Sequence, residues 1–161
     1  MKKIAILMLS LCLLFAAVSC GKSVYRDDLA VSSLANHVME SLAKTDGYVV
    51  REKGLDSYFT TPEYVTEFAI RHAQDTNNID EIGIWHVTDG NADAMKALLS
   101  GYLKESLEKN ETFYNSYIPE ETPKLRDAEV RVFGNYVAYA ILSASDRSAF
   151  FSALETELSA D

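Results

Sequence analysis

Three polar residues at alternate positions, Asp89, Asn91 and Asp93, have the spacing that opens a calcium-binding loop. In such a loop, carboxylate and amide oxygens from alternate residues surround a hard cation. The rest of the motif is missing, because its sixth position is Ala94 rather than glycine and its twelfth is Ser100 rather than glutamate. The trio therefore predicts a helix N-terminus enriched in capping residues, and we predict no metal site.

The three histidines are the next candidates for acid–base or metal chemistry. His37 falls in a predicted helix, whereas His72 and His86 fall in neighbouring predicted strands. In the predicted hairpin His72 faces Gly83 and His86 faces Ala69, so the two imidazoles do not form a metal pair. We interpret all three histidines as surface or structural residues.

Carboxylates could act as the acid and base of glycan hydrolysis, but that reaction needs two groups that face each other across a cleft. Glu120 and Glu121 are adjacent in the chain and do not provide this arrangement. Serine nucleophile elbows, phosphate-binding glycine loops and HExxH zinc motifs are absent. We therefore predict no catalytic residue and no cofactor. A small carboxylate-dependent envelope hydrolase is the alternative function, motivated by the excess of acidic residues.

Aromatic side chains could line a groove for a peptide or a glycan, because tyrosine offers a flat apolar face and a polar tip. The candidates are Phe113, Tyr114, Tyr117, Phe133 and Tyr136. Core packing is the alternative role for each of them. Tyr139 shares a predicted strand face with Val137 and Ile141 and is predicted to be core, whereas Tyr136 points to the opposite face. We predict ligand contacts at Tyr136 first, and at Tyr114 and Tyr117.

Cys20 stands at the end of a candidate export signal. Lys2 and Lys3 precede an apolar run over residues 4–17, and the first acidic residue is Asp27. A membrane-spanning helix needs about 20 apolar residues, so this run is too short for an ordinary span. The layout is that of a signal peptide.

The four residues that close this run, Ala17, Val18, Ser19 and Cys20, resemble the lipobox of bacterial lipoproteins. The resemblance implies that the Cys20 thiol carries a diacylglyceryl group and that the chain is cut just before it. It also implies that the new α-amine is often acylated, and two or more acyl chains anchor a protein stably. Ala17 stands where leucine is usual. An ordinary secretory signal or an uncleaved anchor is the alternative.

Lipidation at Cys20 would place the protein at the outer face of the cytoplasmic membrane, with the membrane as its first partner. Cys12 lies in the segment to be removed, so no thiol would remain for redox, protease or zinc chemistry. Loss of residues 1–19, with Lys2 and Lys3, leaves 142 residues and shifts the net charge from −9 to −11. Such an acidic chain repels nucleic acid. We expect a short basic tether over residues 20–27 and a single domain over residues 28–161.

Three amphipathic helices are predicted where apolar residues recur at intervals of three or four: residues 29–44, 92–109 and 145–158. Asn91 is the expected N-cap of the second helix and Asn110 its end, while Ser145 is the expected N-cap of the third. Loops are predicted over residues 47–62 and over residues 110–127, the second of which contains Pro119 and Pro123.

Two hairpins complete the prediction. Residues 64–73 and 81–87 flank turn formers at Asn77 and Asn78, and residues 128–133 and 135–143 flank Gly134. The resulting order is α-ββ-α-ββ-α, which predicts an α+β fold with an antiparallel sheet of two hairpins and helices packed on one face.

A second resemblance covers roughly residues 29–158. It is carried by EIGIWHV at 81–87, by Tyr117, Pro119 and Glu120, and by GNYVAYAILS at 134–143. These motifs resemble an uncharacterised domain-of-unknown-function family of lipoproteins from Gram-positive, mostly gut-dwelling bacteria. The resemblance implies a lipoprotein with this fold and carries no established activity. We therefore expect a non-catalytic interaction or ligand-binding module of the cell envelope, with a peptide, glycan or protein as its partner.

Overall fold

The computed structural model describes residues 25–52 and 60–160. Four helices and five strands follow one another in the order α1, β1, β2, β3, α2, α3, β4, β5, α4. Their bounds are α1 Val31–Ser41, β1 Tyr48–Arg51, β2 Val65–Ala73, β3 Glu81–Val87, α2 Ala92–Tyr117, α3 Thr122–Arg126, β4 Glu129–Phe133, β5 Tyr136–Ile141 and α4 Ala144–Leu158. Within these residues, no helix combines the length and apolar character that a membrane span requires. The lipobox cysteine and the predicted signal lie outside the described residues.

The strands form one antiparallel sheet in the order β1-β2-β3-β5-β4. Both predicted hairpins are present, and β3 and β5 pair to join them. The antiparallel α+β class is therefore confirmed. The strand β1 was missed, because its four residues lie in a stretch that reads as a loop. It adds an edge to the sheet beside β2.

The register of the first hairpin differs from the predicted one by two residues, since His72 lies opposite Glu81 and His86 opposite Glu67. The reason is the turn, which Asp75 begins by accepting a hydrogen bond from the Asn77 amide at 2.9 Å. A shift of two residues keeps every side chain on its predicted face, because side chains alternate along a strand.

Helices cover both faces of the sheet rather than the single face expected. On one face α1 and α4 pack against Ile82, Ile84 and Ala138. On the other face α2 packs against Trp85, Val137 and Tyr139. Strands β3 and β5 are consequently buried on both sides, which explains their nearly continuous apolar sequences.

Two helix boundaries differ from the prediction for identifiable reasons. Helix α2 continues past Asn110, whose side-chain amide donates to the Ser106 carbonyl, and it ends only before Pro119. The last helix is capped by Ser143 rather than Ser145, because the Ser143 hydroxyl accepts a hydrogen bond from the Asp146 amide at 3.2 Å. The region predicted as a loop over residues 110–127 is therefore mostly helical, and α3 lies within it.

The chain ahead of α1 is packed onto the domain from Tyr25 onward, including residues 25–27 of the expected tether. Tyr25 pairs with Ser159, and the Arg26 amide donates to the Leu158 carbonyl at 2.7 Å. Further along, the Asp27 carboxylate contacts the His86 imidazole at 2.8 Å. These contacts fix the entry point of the chain at the end of β3 that carries His86.

Candidate functional site

A cavity with a volume of about 510 Å³ lies at the opposite end of β3. The turn between β2 and β3 forms one wall and the C-terminal half of α2 forms the other. This volume falls within the range of about 300–1,000 Å³ that is typical of small-molecule sites. Its lining includes the ionisable and aromatic side chains of His72, Asp75, Glu81, Tyr102, Phe113 and Tyr114.

Glu81 is the first residue of β3 and lies in the cavity wall. Its Oε1 atom accepts hydrogen bonds from the hydroxyls of Tyr102, at 2.9 Å, and Tyr139. No hydrogen bond from the described residues reaches its Oε2 atom. Burial raises the pKa of Glu81, and the two tyrosine hydroxyls, with His72 and Arg51 nearby, lower it by less. A carboxyl group with a raised pKa in a cavity is a marker of a functional site.

Aromatic residues of α2 form the outer wall of the cavity. Phe113 contacts Tyr117 with ring centroids 4.7 Å apart and Tyr114 with centroids 5.9 Å apart. Phe113 and Tyr117 are 56% and 73% exposed, although both are large aromatic residues. Burial, with the negative charge of Glu81, raises the pKa of the Tyr114 hydroxyl. The wall therefore offers exposed rings at the mouth and partly buried ones inside.

Asp80, next to Glu81, is the centre of a buried ionic cluster. Its Oδ2 atom accepts from Lys44 at 2.7 Å and from the Tyr48 hydroxyl at 2.8 Å, and its Oδ1 atom accepts from Lys124 at 2.8 Å. Burial alone would raise the pKa of Asp80, but these three donors outweigh it and the pKa is lowered. Both oxygens are engaged, so Asp80 holds the fold together and presents no free oxygen to the cavity.

The histidines are dispersed, as the sequence predicts. His72 lines the cavity, where its Nε2 atom lies 3.3 Å from Arg51 Nε and its Nδ1 atom 3.1 Å from the Ala73 carbonyl oxygen. His86 lies at the far end of β3 against Asp27, and His37 contacts Glu157 at 3.1 Å on the outside of α1. No group of three His, Cys, Asp or Glu side chains in residues 25–52 and 60–160 could hold a metal ion.

The three predicted ligand contacts occupy different environments. Tyr114 lines the cavity and Tyr117 lies exposed beside it. Tyr136 is buried in the core beneath α1, where its hydroxyl donates to the Leu29 carbonyl at 2.7 Å and accepts from the Leu29 amide at 2.9 Å. The expectation for Tyr136 assumed an open sheet face, but α1 and α4 cover that face. The hydrogen bonds of the Tyr136 hydroxyl are therefore made with the Leu29 backbone.

The remaining sequence candidates have structural roles. Asn91 occupies the N-cap position of α2 and donates through its side-chain amide to the Thr88 hydroxyl at 2.9 Å. Asp89 accepts from the Asn135 side chain at 2.6 Å. Glu121 accepts from the Ile79 amide at 2.9 Å and from Lys124 at 2.7 Å. These contacts stabilise turns and helix ends.

Glu81 was missed by sequence reasoning, although the sequence carried a signal for it. In EIGIWHV it shares the two-residue period of Gly83 and Trp85, which face the buried side of β3 toward α2. An acidic residue in phase with core positions is rare unless it is paired or functional.

Comparison with known proteins gives one match. A family model described as a domain of unknown function matches residues 50–142, which include the whole cavity wall from β2 to α2. The match confirms that the chain carries a domain of unknown function, whereas the lipobox and the lipoprotein nature stay predictions. No curated protein and no solved structure matches the chain.

Proposed function

The chain belongs to the DUF4358 family, a domain of unknown function, and from that premise we propose that it is a non-catalytic ligand-binding lipoprotein of the cell envelope. The cavity carries this proposal. It combines a suitable volume, a partly buried carboxyl group and exposed aromatic rings at one end of the sheet. A few polar groups within aromatic walls are the usual composition of a ligand site.

The point where the chain enters the domain and the cavity lie at opposite ends of β3. Tyr25 follows Cys20 by five positions, so the fixed entry point would lie within about 18 Å of the lipid. Asp27 meets β3 at His86, whereas the cavity lies at Glu81, about 17 Å away along the strand. A domain held in this way would direct its cavity away from the membrane, toward solutes of the envelope.

The hydrolase alternative has less support. Glu81 has the raised pKa of a general acid, but hydrolysis of a glycan also needs a second carboxyl group that faces it. The adjacent Asp80 has both oxygens bound by Lys44, Tyr48 and Lys124. Asp75, the other carboxylate of the cavity, lies in the turn, where it accepts from the Asn77 amide. We therefore favour binding over catalysis.

Substitution of Cys20 tests the lipid anchor. Metabolic labelling with an alkyne fatty acid should mark the wild-type chain and fail to mark Cys20→Ala, because no other thiol follows the apolar run. The unlabelled variant should also leave the membrane fraction. The matched control is Cys12→Ala, which removes a thiol from inside the apolar run and should be labelled like the wild type. Equal labelling of the wild type and Cys20→Ala would disprove the anchor.

Substitution of Phe113 tests the cavity. We expect a ligand-observed NMR screen of peptide and sugar fragments to give binders that Phe113→Ala weakens by roughly two- to tenfold, the equivalent of about 0.5 to 1.5 kcal/mol of aromatic contact. The control is Val50→Ala, which trims an apolar side chain of nearly equal exposure, 57% against 56%, on the edge strand β1. If Val50→Ala and Phe113→Ala weaken binding equally, the fragments do not occupy this cavity.

A further inference from the structure

We infer that the cavity binds a small organic cation, a protonated amine on an apolar body, with its ammonium group on Glu81. This inference rests on the proposed ligand-binding function and names the class of ligand. Three observations carry it: the charge of the cavity wall, the open oxygen of Glu81 and the aromatic rings that flank it.

The charge of the wall favours a cation. Among the described residues that line the cavity, Asp75, Asp80 and Glu81 are acidic and none is lysine or arginine. Lys44 and Lys124 compensate the charge of Asp80 from behind the wall. Arg51 and His72 lie near Glu81 and lower its pKa, but among the described residues neither donates a hydrogen bond to it. Asp75 at the turn and Glu81 inside the cavity therefore keep the wall acidic. An anionic ligand would meet repulsion here, and a cation would meet attraction.

Only one of the two carboxyl oxygens of Glu81 accepts hydrogen bonds from the described residues. The hydroxyls of Tyr102 and Tyr139 both donate to Oε1, which leaves Oε2 without a hydrogen bond from the described residues. Two neutral hydroxyl donors compensate the desolvation of a buried carboxylate only in part, and the pKa of Glu81 is raised accordingly. A ligand ammonium that donates to Oε2 would supply the missing partner. Binding of a cation would thereby offset the desolvation of Glu81.

The rings around Glu81 suit an organic cation better than a metal ion. Tyr102, Tyr114 and Phe113 line the same cavity, and aromatic faces attract ammonium groups while they pack against an apolar body. A hard metal ion would instead need several oxygen ligands around one point. No set of three acidic, histidine or cysteine side chains in the described part of the chain provides them.

The test is a titration of the purified full-length protein with three probes of similar shape: phenethylammonium, neutral phenylpropanol and anionic phenylpropanoate. The ammonium should bind tightest to the wild type and the anion weakest. Glu81→Gln keeps the size of the side chain and an acceptor for the tyrosine hydroxyls but removes the charge. It should weaken binding of the ammonium at least about tenfold, as expected for a charged hydrogen bond, and leave the neutral probe unchanged.

The control variant is Asp75→Asn, which removes a carboxylate from the rim of the same cavity. It should weaken ammonium binding by less than about threefold, since an exposed charge contributes little. Circular dichroism of both variants verifies that the fold is retained. If the neutral probe binds as tightly as the ammonium, or if Glu81→Gln has no effect, the cation inference is wrong while the ligand site stands. If none of the three probes binds at millimolar concentration, and the fragment screen gives no binder, both proposals fail together.

Discussion

Replacement of Asp80 by alanine is expected to lower the free energy of unfolding by about 3 to 5 kcal/mol, because it removes the buried carboxylate that two half-buried lysines share. Lys44 and Lys124 are 21% and 17% exposed, and both donate to Asp80 at 2.8 Å or less. Their other partners are Asp146, at 3.2 Å from Lys44, and Glu121, at 2.7 Å from Lys124. Neither can replace a carboxylate that lies between the two ammonium groups. Urea unfolding followed by circular dichroism measures the change.

The size of this effect follows from where Asp80 lies. It connects the end of α1 through Lys44, the edge strand β1 through Tyr48 and the helix α3 through Lys124. A typical domain of this size has a total stability of about 5–15 kcal/mol, so the loss would be a large fraction of it. The cavity would lose its wall as well, because Asp80 and its neighbours shape the turn end of β3.

The control for Asp80→Ala is Glu111→Ala, which removes an exposed ion pair with Arg126. It should change the free energy of unfolding by less than about 1 kcal/mol.

The pH dependence of stability gives a second measurement. The folded-state pKa of Asp80 lies below its ordinary value of 3.8, so its contribution is present above that pH and is lost as the pH falls through the folded value. The difference between wild type and Asp80→Ala should therefore be constant near neutral pH and shrink in acid. Equal effects of Asp80→Ala and Glu111→Ala would show that the cluster does not stabilise the fold.

The parts of the fold that could be predicted are those with a local cause. The hairpin of β4 and β5 follows from alternating apolar residues on both sides of Gly134, which adopts the positive φ of 60° that this turn requires. Helix α1 follows from the spacing of Leu34 and Val38, both of which are buried. In both cases the residues that determine the element lie close together in the sequence. The order of pairing, with β3 beside β5, depends on contacts between distant segments and could not be derived in this way.

The main error about the site came from the assumption that one sheet face is open. On that assumption Tyr136 becomes an exposed ring, whereas the structure covers that face with α1 and α4. The sequence did contain the contrary signal, since YVAYAI in β5 is apolar at every position, as strands buried on both faces are. Tyr114 and Tyr117, predicted in a loop, instead lie on the last turns of α2. Residues three or four positions apart are neighbours on a helix surface. Tyr114 and Phe113 precede Tyr117 by three and four positions, so the helix places the three rings together, and Tyr114 and Phe113 line the cavity.

Substitution of Gly83 should produce the second large loss of stability, about 3 kcal/mol for Gly83→Ala, through overpacking in the centre of the sheet. A Cβ atom at Gly83 would lie 2.3 Å from Cη2 and Cζ3 of Trp85 and 2.6 Å from Cε1 of Tyr139. Those two rings stack with centroids 5.3 Å apart at an interplanar angle of 28°, so neither can move without the other. The loss is measured by urea unfolding.

The sign of the Gly83 effect is diagnostic, because Gly→Ala normally stabilises a chain where the space permits it. Gly101 in α2 provides that comparison, since a Cβ there would meet no atom within 4 Å. Gly101→Ala should stabilise the domain by about 0.5–1 kcal/mol, as alanine does inside a helix. If both substitutions stabilise the domain, the expected clash of a Gly83 Cβ atom with the Trp85 ring does not occur.

Because Tyr139 also donates to Glu81, displacement of its ring by Gly83→Ala should disturb the carboxyl group as well. Binding of phenethylammonium should therefore weaken in Gly83→Ala and stay unchanged in Gly101→Ala, which would link the packing of the central strand to the ligand site.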